Sequence, residues 1–189
     1  MFFILKKLIK ITILNENMEG ENMFYTGIGS RKTPKKILAL FTEVAIYLSK
    51  QGYILRSGGA KGADQAFERG AAKKEIYLPW RDFENNKSNL IVGHKKAFEI
   101  AEKYHPRWNS LSEGAKKLQA RNSHQILGIT LNKPSRFVIC WTEYGIGNGG
   151  TGQAIRIAKD YNIPIFDCGK YNSIQECIIE LKSFLKSFE

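Results

Sequence analysis

The stretch Phe137-Val138-Ile139-Cys140-Trp141-Thr142, followed by Gly147-Asn148-Gly149-Gly150-Thr151-Gly152-Gln153 and then Ala154-Ile155-Arg156-Ile157-Ala158, decides the fold. A short apolar, β-branched run, a glycine cluster and an apolar segment of helical period predict strand, tight loop and helix in that order. Glycines let the backbone take positive φ and approach a ligand closely, while the helix start offers unpaired N–H groups and the positive end of its dipole. Such a loop suits an anion, phosphate above all. Gly147, Gly149 and Gly152 also satisfy the G-x-G-x-x-G spacing, and Asp167 ends the next predicted strand, Ile163 to Phe166, about 20 residues after the first glycine. Taken alone the pattern has a plainer reading, a turn that needs several left-handed residues.

Outward from this stretch the same grammar repeats. Met23 to Ile28 is a short apolar strand, and Gly27-Ile28-Gly29-Ser30-Arg31 is a second glycine-containing loop. Thr33-Pro34 reads as N-cap and first helical position, with Ile37, Leu40, Phe41, Val44 and Leu48 at helix spacing and Gly52 as the stop. Tyr53 to Arg56 is the next strand. Ser57-Gly58-Gly59-Ala60-Lys61-Gly62-Ala63-Asp64 is a third glycine-rich loop and opens a helix through Phe67. Glu75 to Leu78 is a third strand, Arg81 to Asn89 a polar loop, Leu90 to Tyr104 a helix, and Leu111 to Leu127 a further helix containing Arg121-Asn122. Ile174 to Phe188 is an amphipathic helix with Ile174, Ile178, Leu181 and Leu185 on one face.

Strands alternating with helices predict an α/β fold: a Rossmann-like, doubly wound, mainly parallel sheet with helices on both faces. In the order 3-2-1-4-5 the first and fourth strands are neighbours at the topological switch point. The three glycine loops then converge at the carboxyl edge of the sheet, which chance turn chemistry explains poorly.

A chain of 189 residues, 43% hydrophobic and 12% aromatic, is long enough for one buried core and excludes a disordered protein. A formal net charge of +11 fits a polyanionic partner or an anionic ligand, with a lysine-rich soluble surface as the plain alternative. Cys140, Cys168 and Cys177 include no C-x-x-C pair, so neither a zinc site nor a disulfide framework is indicated, no metal is predicted, and a reducing cytoplasmic setting fits. The apolar start, Met1 to Leu14, is broken by Lys6, Lys7 and Lys10. Its runs are too short for a membrane span and its charges are misplaced for a signal peptide, so no stable membrane insertion is expected. Residues 1–22 are read as an N-terminal extension outside the fold, and 23–189 as one domain.

Three segments together resemble a known family. Gly29-Ser30-Arg31 after the first strand, Ser57 to Asp64 after the second, and Ala120-Arg121-Asn122 on a later helix are similar to the Rossmann-like domain of the DNA-processing protein DprA/Smf. Gly149-Gly150-Thr151-Gly152 resembles the glycine-threonine loop of the lysine-decarboxylase-like LOG phosphoribohydrolases. The two branches form the SMF/DprA-LOG superfamily, and the similarity spans Phe24 to Asp167. It implies a nucleotide or nucleic-acid phosphate site at the sheet edge. By this resemblance Ser30 and Arg31 contact phosphate, the backbone from Ser57 through Gly58, Gly59, Lys61 and Gly62 lines the pocket, and Arg121 with Asn122 supplies a planar charged fork. Gly149, Gly150, Thr151, Gly152 and Gln153 complete the loop.

The departures matter as much. LOG enzymes carry a glutamate three residues after the loop threonine, where this chain has Ala154, with Gln153 just before it. An amide cannot take up a proton as a carboxylate does, which counts against hydrolysis by the LOG route. Asp64 and Glu68, one helical turn apart, are the carboxylates that would restore acid–base chemistry; the alternative is a first-turn acid favoured by the helix dipole and a solvated surface residue. Trp141 and Thr142 stand at the mouth of the fourth strand, where Trp141 would stack a nucleobase or serve as a core-edge aromatic. The chain has no room for the winged-helix domain of many DprA proteins and resembles the compact stand-alone folds of phages and mobile elements, which would place it in a host cytoplasm.

Three readings follow. The favoured one is a sensor or sequestering protein that binds a phosphate-bearing, nucleotide-derived small molecule, with no other cofactor. The others are a single-stranded DNA-binding protein of the DprA type and an N-glycosidic hydrolase. Self-association into a homo-oligomer is left open.

Overall fold

The computed structural model describes residues 23–189. The extension read at residues 1–22 lies outside the described residues. Six strands form one sheet: β1 (Phe24–Gly29), β2 (Ile54–Ser57), β3 (Lys74–Leu78), β4 (Leu90–Ile91), β5 (Val138–Trp141) and β6 (Ile165–Asp167). Their order is β4-β3-β2-β1-β5-β6, and every neighbouring pair is parallel. The α-helices of the described residues are α1 (Lys35–Lys50), α2 (Ala63–Gly70), α3 (Lys95–Lys103), α4 (Glu113–Leu127), α5 (Gly149–Asp160) and α6 (Ile174–Lys186).

Side chains alternate across a strand, so a strand buried on both faces feeds two cores. Phe137 and Ile139 enter one core with Tyr25, Leu55, Ile76, the apolar faces of α1 and α2, and Leu181 of α6. Val138 and Cys140 enter the other, with Ala97 and Ala101 of α3, Ile126 and Leu127 of α4, and Ile155 and Ile157 of α5. The sheet is thus Rossmann-like and α/β, with helices on both faces. No helix among the described residues is long and apolar enough to cross a membrane.

The predicted helix over Leu90 to Tyr104 is corrected at its start. Leu90 and Ile91 are a two-residue edge strand paired with Tyr77 and Leu78, and α3 begins at Lys95 with the His94 ring accepting the Lys96 N–H at 3.2 Å. The reason is tertiary. The free edge of β3 needs partners for its backbone groups, and Ser88 Oγ donates to the Ile76 carbonyl at 2.6 Å while Val92 N–H donates to Leu78 O at 2.9 Å. Helical spacing in the sequence could not register that demand.

The central register fixes which strand ends are neighbours. β1 lies between β2 and β5, with Gly29 opposite Trp141 and Thr26 opposite Arg56. The turns leaving β1, β2 and β5 are therefore neighbours at the carboxyl ends of the strands, where the chain reverses its direction of winding.

Candidate functional site

Three backbone segments touch at this edge, and small residues are what permit it. A side chain added at Gly29 would place its Cβ 2.6 Å from Ala63 Cβ and 3.2 Å from Trp141 O. Gly62 holds φ +93 and packs so closely under the first turn that a Cβ there would lie 2.8 Å from Ser30 O and 3.0 Å from Arg31 Cα. The Ser30 N–H reaches Trp141 O at 3.3 Å. The turns after β1 and β2 and the end of β5 are in direct contact.

α4 supplies the side chains that tie these turns together. Its run Ala120 to Leu127 is buried throughout although Arg121, Asn122, Ser123, His124 and Gln125 are polar. Burying polar groups is costly unless they are bonded. Ser123 Oγ donates to Ala97 O at 3.1 Å, the His124 ring meets Gly128 O at 3.0 Å, and the Gln125 carbonyl accepts from Thr26 Oγ1 at 2.6 Å. Arg121 Nη1 donates to Gly58 O at 2.6 Å and lies 3.3 Å from Asp64 Oδ2. Asn122 Nδ2 donates to Gly150 O and to Gln153 Oε1, both at 3.0 Å. Two consecutive residues of one helix thus clamp the β2 turn on one side and the α5 start on the other.

The Asp64–Arg121 pair is almost dry, with Asp64 3% and Arg121 7% exposed. Burial pushes the Asp64 carboxyl above its ordinary value, while Arg121 and the N–H groups of Ala60, Gly29 and Gly58 pull it back. Burial also pushes the Arg121 guanidinium down, and Asp64 opposes this. Arg121 Nε is buried without a hydrogen-bond partner among the described residues. An unpaired donor on a buried cation is expensive.

The start of α5 is the other feature of this edge. Asn148 precedes it without a side-chain cap, Gly149 has φ +70, and Asn148, Gly149 and Gly150 are exposed. First-turn N–H groups lack intrahelical partners, and over a 12-residue helix the dipole adds positive potential there. A brace holds this turn. Asp167 Oδ1 accepts the N–H groups of Thr142 and Gly169, both at 2.9 Å, Thr142 Oγ1 bonds Asp167 Oδ2, and Gly147 N–H donates to Thr142 Oγ1 at 3.1 Å.

No protein-family model matches this sequence, and no curated protein matches it significantly. Among solved structures, DNA processing protein A from Helicobacter pylori, whose structure describes a single-stranded DNA binding mode, aligns with a TM-score of 0.50. Identity is 19%, and the alignment covers 77% of this chain and 65% of that one. The fold is DprA-like. This chain spans about 65% of the length of that protein.

On the DprA-like scaffold the sequence-predicted residues separate into two groups. Ser30, Arg31, Gly58, Gly59, Lys61, Gly62, Asp64, Arg121, Asn122, Gly149, Gly150, Thr151 and Gly152 belong to the turns and the helix that meet at the carboxyl edge. Several others are turned inward by bonds to the protein itself. Ser57 Oγ donates to Gly27 O at 2.6 Å. Thr142 is 2% exposed and spends its hydroxyl on the Asp167 brace, and Asp167 itself is 3% exposed. Gln153 is fully buried between Asn122 and the Ala101 carbonyl. Trp141 is half-buried and packs on the first core, whereas Tyr144, one turn later, is 80% exposed.

Asp64 and Glu68 are one turn apart on α2, and they go to different partners. Asp64 faces Arg121, while Glu68 receives Asn86 Nδ2 at 3.0 and 2.9 Å on its two oxygens. A shared acid–base pair on one substrate atom is not what this geometry builds. The residue that sequence reasoning missed is Glu84, whose carboxylate lies 3.5 Å from Arg31 Nη2 and 3.2 Å from Lys61 Nζ. A lone acid in a polar loop carries no periodic or motif signal, so nothing in the sequence marks it.

Proposed function

We propose that the carboxyl-edge crevice binds the phosphate of a nucleotide-derived ligand. The observation that carries this reading is Arg121: a buried guanidinium with an unpartnered Nε, next to the residue that holds the first turn of α5. Phosphate oxygens would accept from the Arg121 guanidinium and from the first-turn N–H groups at Gly149 and Gly150. Ser30, Arg31 and Lys61 would hold the outer side of the same anion. On this reading residues 23–189 form one binding domain of the SMF/DprA-LOG type, working in a cytoplasm, with phage or mobile-element origin the matching source.

Two observations favour a second reading, in which the phosphate belongs to single-stranded DNA. The formal net charge is +11, and the structure aligned with this chain describes single-stranded DNA binding. Hydrolysis of an N-glycosidic bond has less support. Ala154 stands where a LOG enzyme has glutamate and is 1% exposed, and Asp64 is committed to Arg121 and backbone N–H groups.

Calorimetry with nucleoside monophosphates, NAD and ADP-ribose, beside fluorescence anisotropy with labelled oligothymidylate, tests the proposal. The expected result is saturable binding lost in Arg121→Glu. Binding of the oligonucleotide alone, with affinity falling steeply as salt rises, selects the second reading. Absence of binding in both arms overturns the site. Release of free base on incubation, abolished in Asp64→Asn, would favour the hydrolase.

A further inference from the structure

We propose that the Glu84 carboxylate occupies an anion subsite between Arg31 and Lys61 and acts as a built-in competitor that an incoming phosphate must displace. The inference rests on the reading of the crevice as a phosphate site and adds the residue that regulates it.

The geometry is specific. Arg31 leaves the turn after β1 and Lys61 the turn after β2, two turns pressed together at Gly62. One carboxylate bridges them, with Oε1 3.5 Å from Arg31 Nη2 and Oε2 3.2 Å from Lys61 Nζ. Its side chain is only 17% exposed, whereas Arg31 and Lys61 are 61% and 73% exposed, so both cations keep an open side toward solvent. Two cations converging on one oxyanion from adjacent turns is the arrangement a phosphate requires, with a protein acid in its place.

The segment that carries Glu84 is held in tension between anchors. Phe83 is 5% exposed and meets the Trp80 ring edge-on, and Asn86 is fixed to Glu68. Between these anchors Glu84 has φ 51 and Asn85 φ 62, and Asp82 just before them has φ 57. Left-handed conformations are unfavourable for residues with a Cβ and persist where surrounding contacts impose them. The backbone is bent so that this acid reaches the two cations. A surface ion pair of this kind is weak enough to be exchanged.

The released carboxylate also has somewhere to go. Glu84 lines an open cleft of about 510 Å³ whose other walls include Arg69, Lys74 and Lys87, the last paired with Asp82, together with the Glu68 carboxylate held by Asn86. A phosphate entering between Arg31 and Lys61 would repel Glu84 toward these cations, so displacement exchanges one set of charge partners for another. Without a bound phosphate, Glu84 offsets one of the two positive charges and so discourages weak anions. Occupied by a polyphosphate or a nucleic-acid backbone, the subsite adds a second phosphate contact beside Arg121.

The test compares wild type, Glu84→Gln and Glu84→Gln/Arg31→Ala by oligothymidylate anisotropy and by calorimetry with inorganic pyrophosphate, over a series of salt concentrations. The competitor model expects Glu84→Gln to bind about fivefold more tightly at low salt, on the scale of one exchanged surface ion pair. Its log–log salt slope for the oligonucleotide should steepen by about 0.7 for a newly engaged phosphate. The added Arg31→Ala change should cancel both gains. Wild-type binding with an unchanged or weaker Glu84→Gln, of equal thermal stability, would overturn the competitor and leave the phosphate site standing. Binding by Glu84→Gln alone supports the competitor in its strongest form, and binding by neither protein overturns both.

Discussion

Arg121 Nη1 lies 3.3 Å from Asp64 Oδ2 while donating a 2.6 Å hydrogen bond to the carbonyl oxygen of Gly58. One guanidinium thereby binds the start of α2 and the turn before it. A buried pair of this kind is not itself strong evidence for stability, because desolvation of both charges offsets their attraction. Its value here is positional, since it fixes the start of α2 and the turn before it against α4.

Breaking the pair from one side should therefore be severe, and removing both charges mild. Asp64→Asn and Arg121→Met are each expected to lower stability by about 3–5 kcal/mol. The double substitution should cost clearly less than the sum of the two. Urea denaturation of the four proteins measures the coupling, and strict additivity would show that the contact carries no energy.

The glycines of the crevice should divide by what their missing side chains would strike. A Cβ at Gly58 would lie 1.5 Å from Arg121 Nη1, and one at Gly152 would lie 1.7 Å from Gly147 O, whereas at Gly150 the nearest atom is Gln119 Nε2 at 3.9 Å. Gly58→Ala and Gly152→Ala are expected to destabilise by about 1–3 kcal/mol each. Gly150→Ala should be neutral or slightly stabilising, as alanine is the better helix former. Equal melting temperatures for all three would contradict the packing described.

The Asp167 brace should position the α5 turn without touching ligand. Thr142→Val preserves shape but removes the oxygen that serves both Asp167 and Gly147 N–H. Leaving those buried groups unpaired is expected to cost about 1–3 kcal/mol. It should also weaken ligand binding, and hydrogen exchange should accelerate between residues 143 and 150. Unaltered exchange there would remove Thr142 from this role.

Acid should act partly through His124. Its ring is 2% exposed and stacks on Tyr77 at 5.4 Å, and burial holds its pKa below the ordinary histidine value. With the folded value depressed, the unfolded chain binds the proton more readily. The stability contribution is therefore complete above the unfolded value of about 6.5 and is lost as pH falls through the folded one. His124→Gln should flatten the decline in urea midpoint between about pH 7 and about pH 5. A decline as steep as wild type would sink this assignment.

The strand–glycine–helix stretch from Phe137 to Ala158 was enough to read a parallel Rossmann-like sheet, because apolar runs of strand length and glycine punctuation are local properties of the chain. The neighbouring of β1 and β5 also followed, from the limited ways such a sheet can be wound. What local pattern could not reveal was partnership. Leu90 and Ile91 have helical spacing yet pair with β3, because an open sheet edge demands hydrogen bonds that no short-range signal encodes. Thr142 and Gln153 stand in a ligand loop by sequence and are spent inside the protein, because buried polar groups take the nearest available partner. Glu84 bridges Arg31 and Lys61 across 53 and 23 positions of sequence, and Arg121 reaches Asp64 across 57. Such pairs exist only once the sheet has brought separate turns together. The chain itself dictated where the glycine turns would gather, and folding decided which charges lie there and which already neutralise one another.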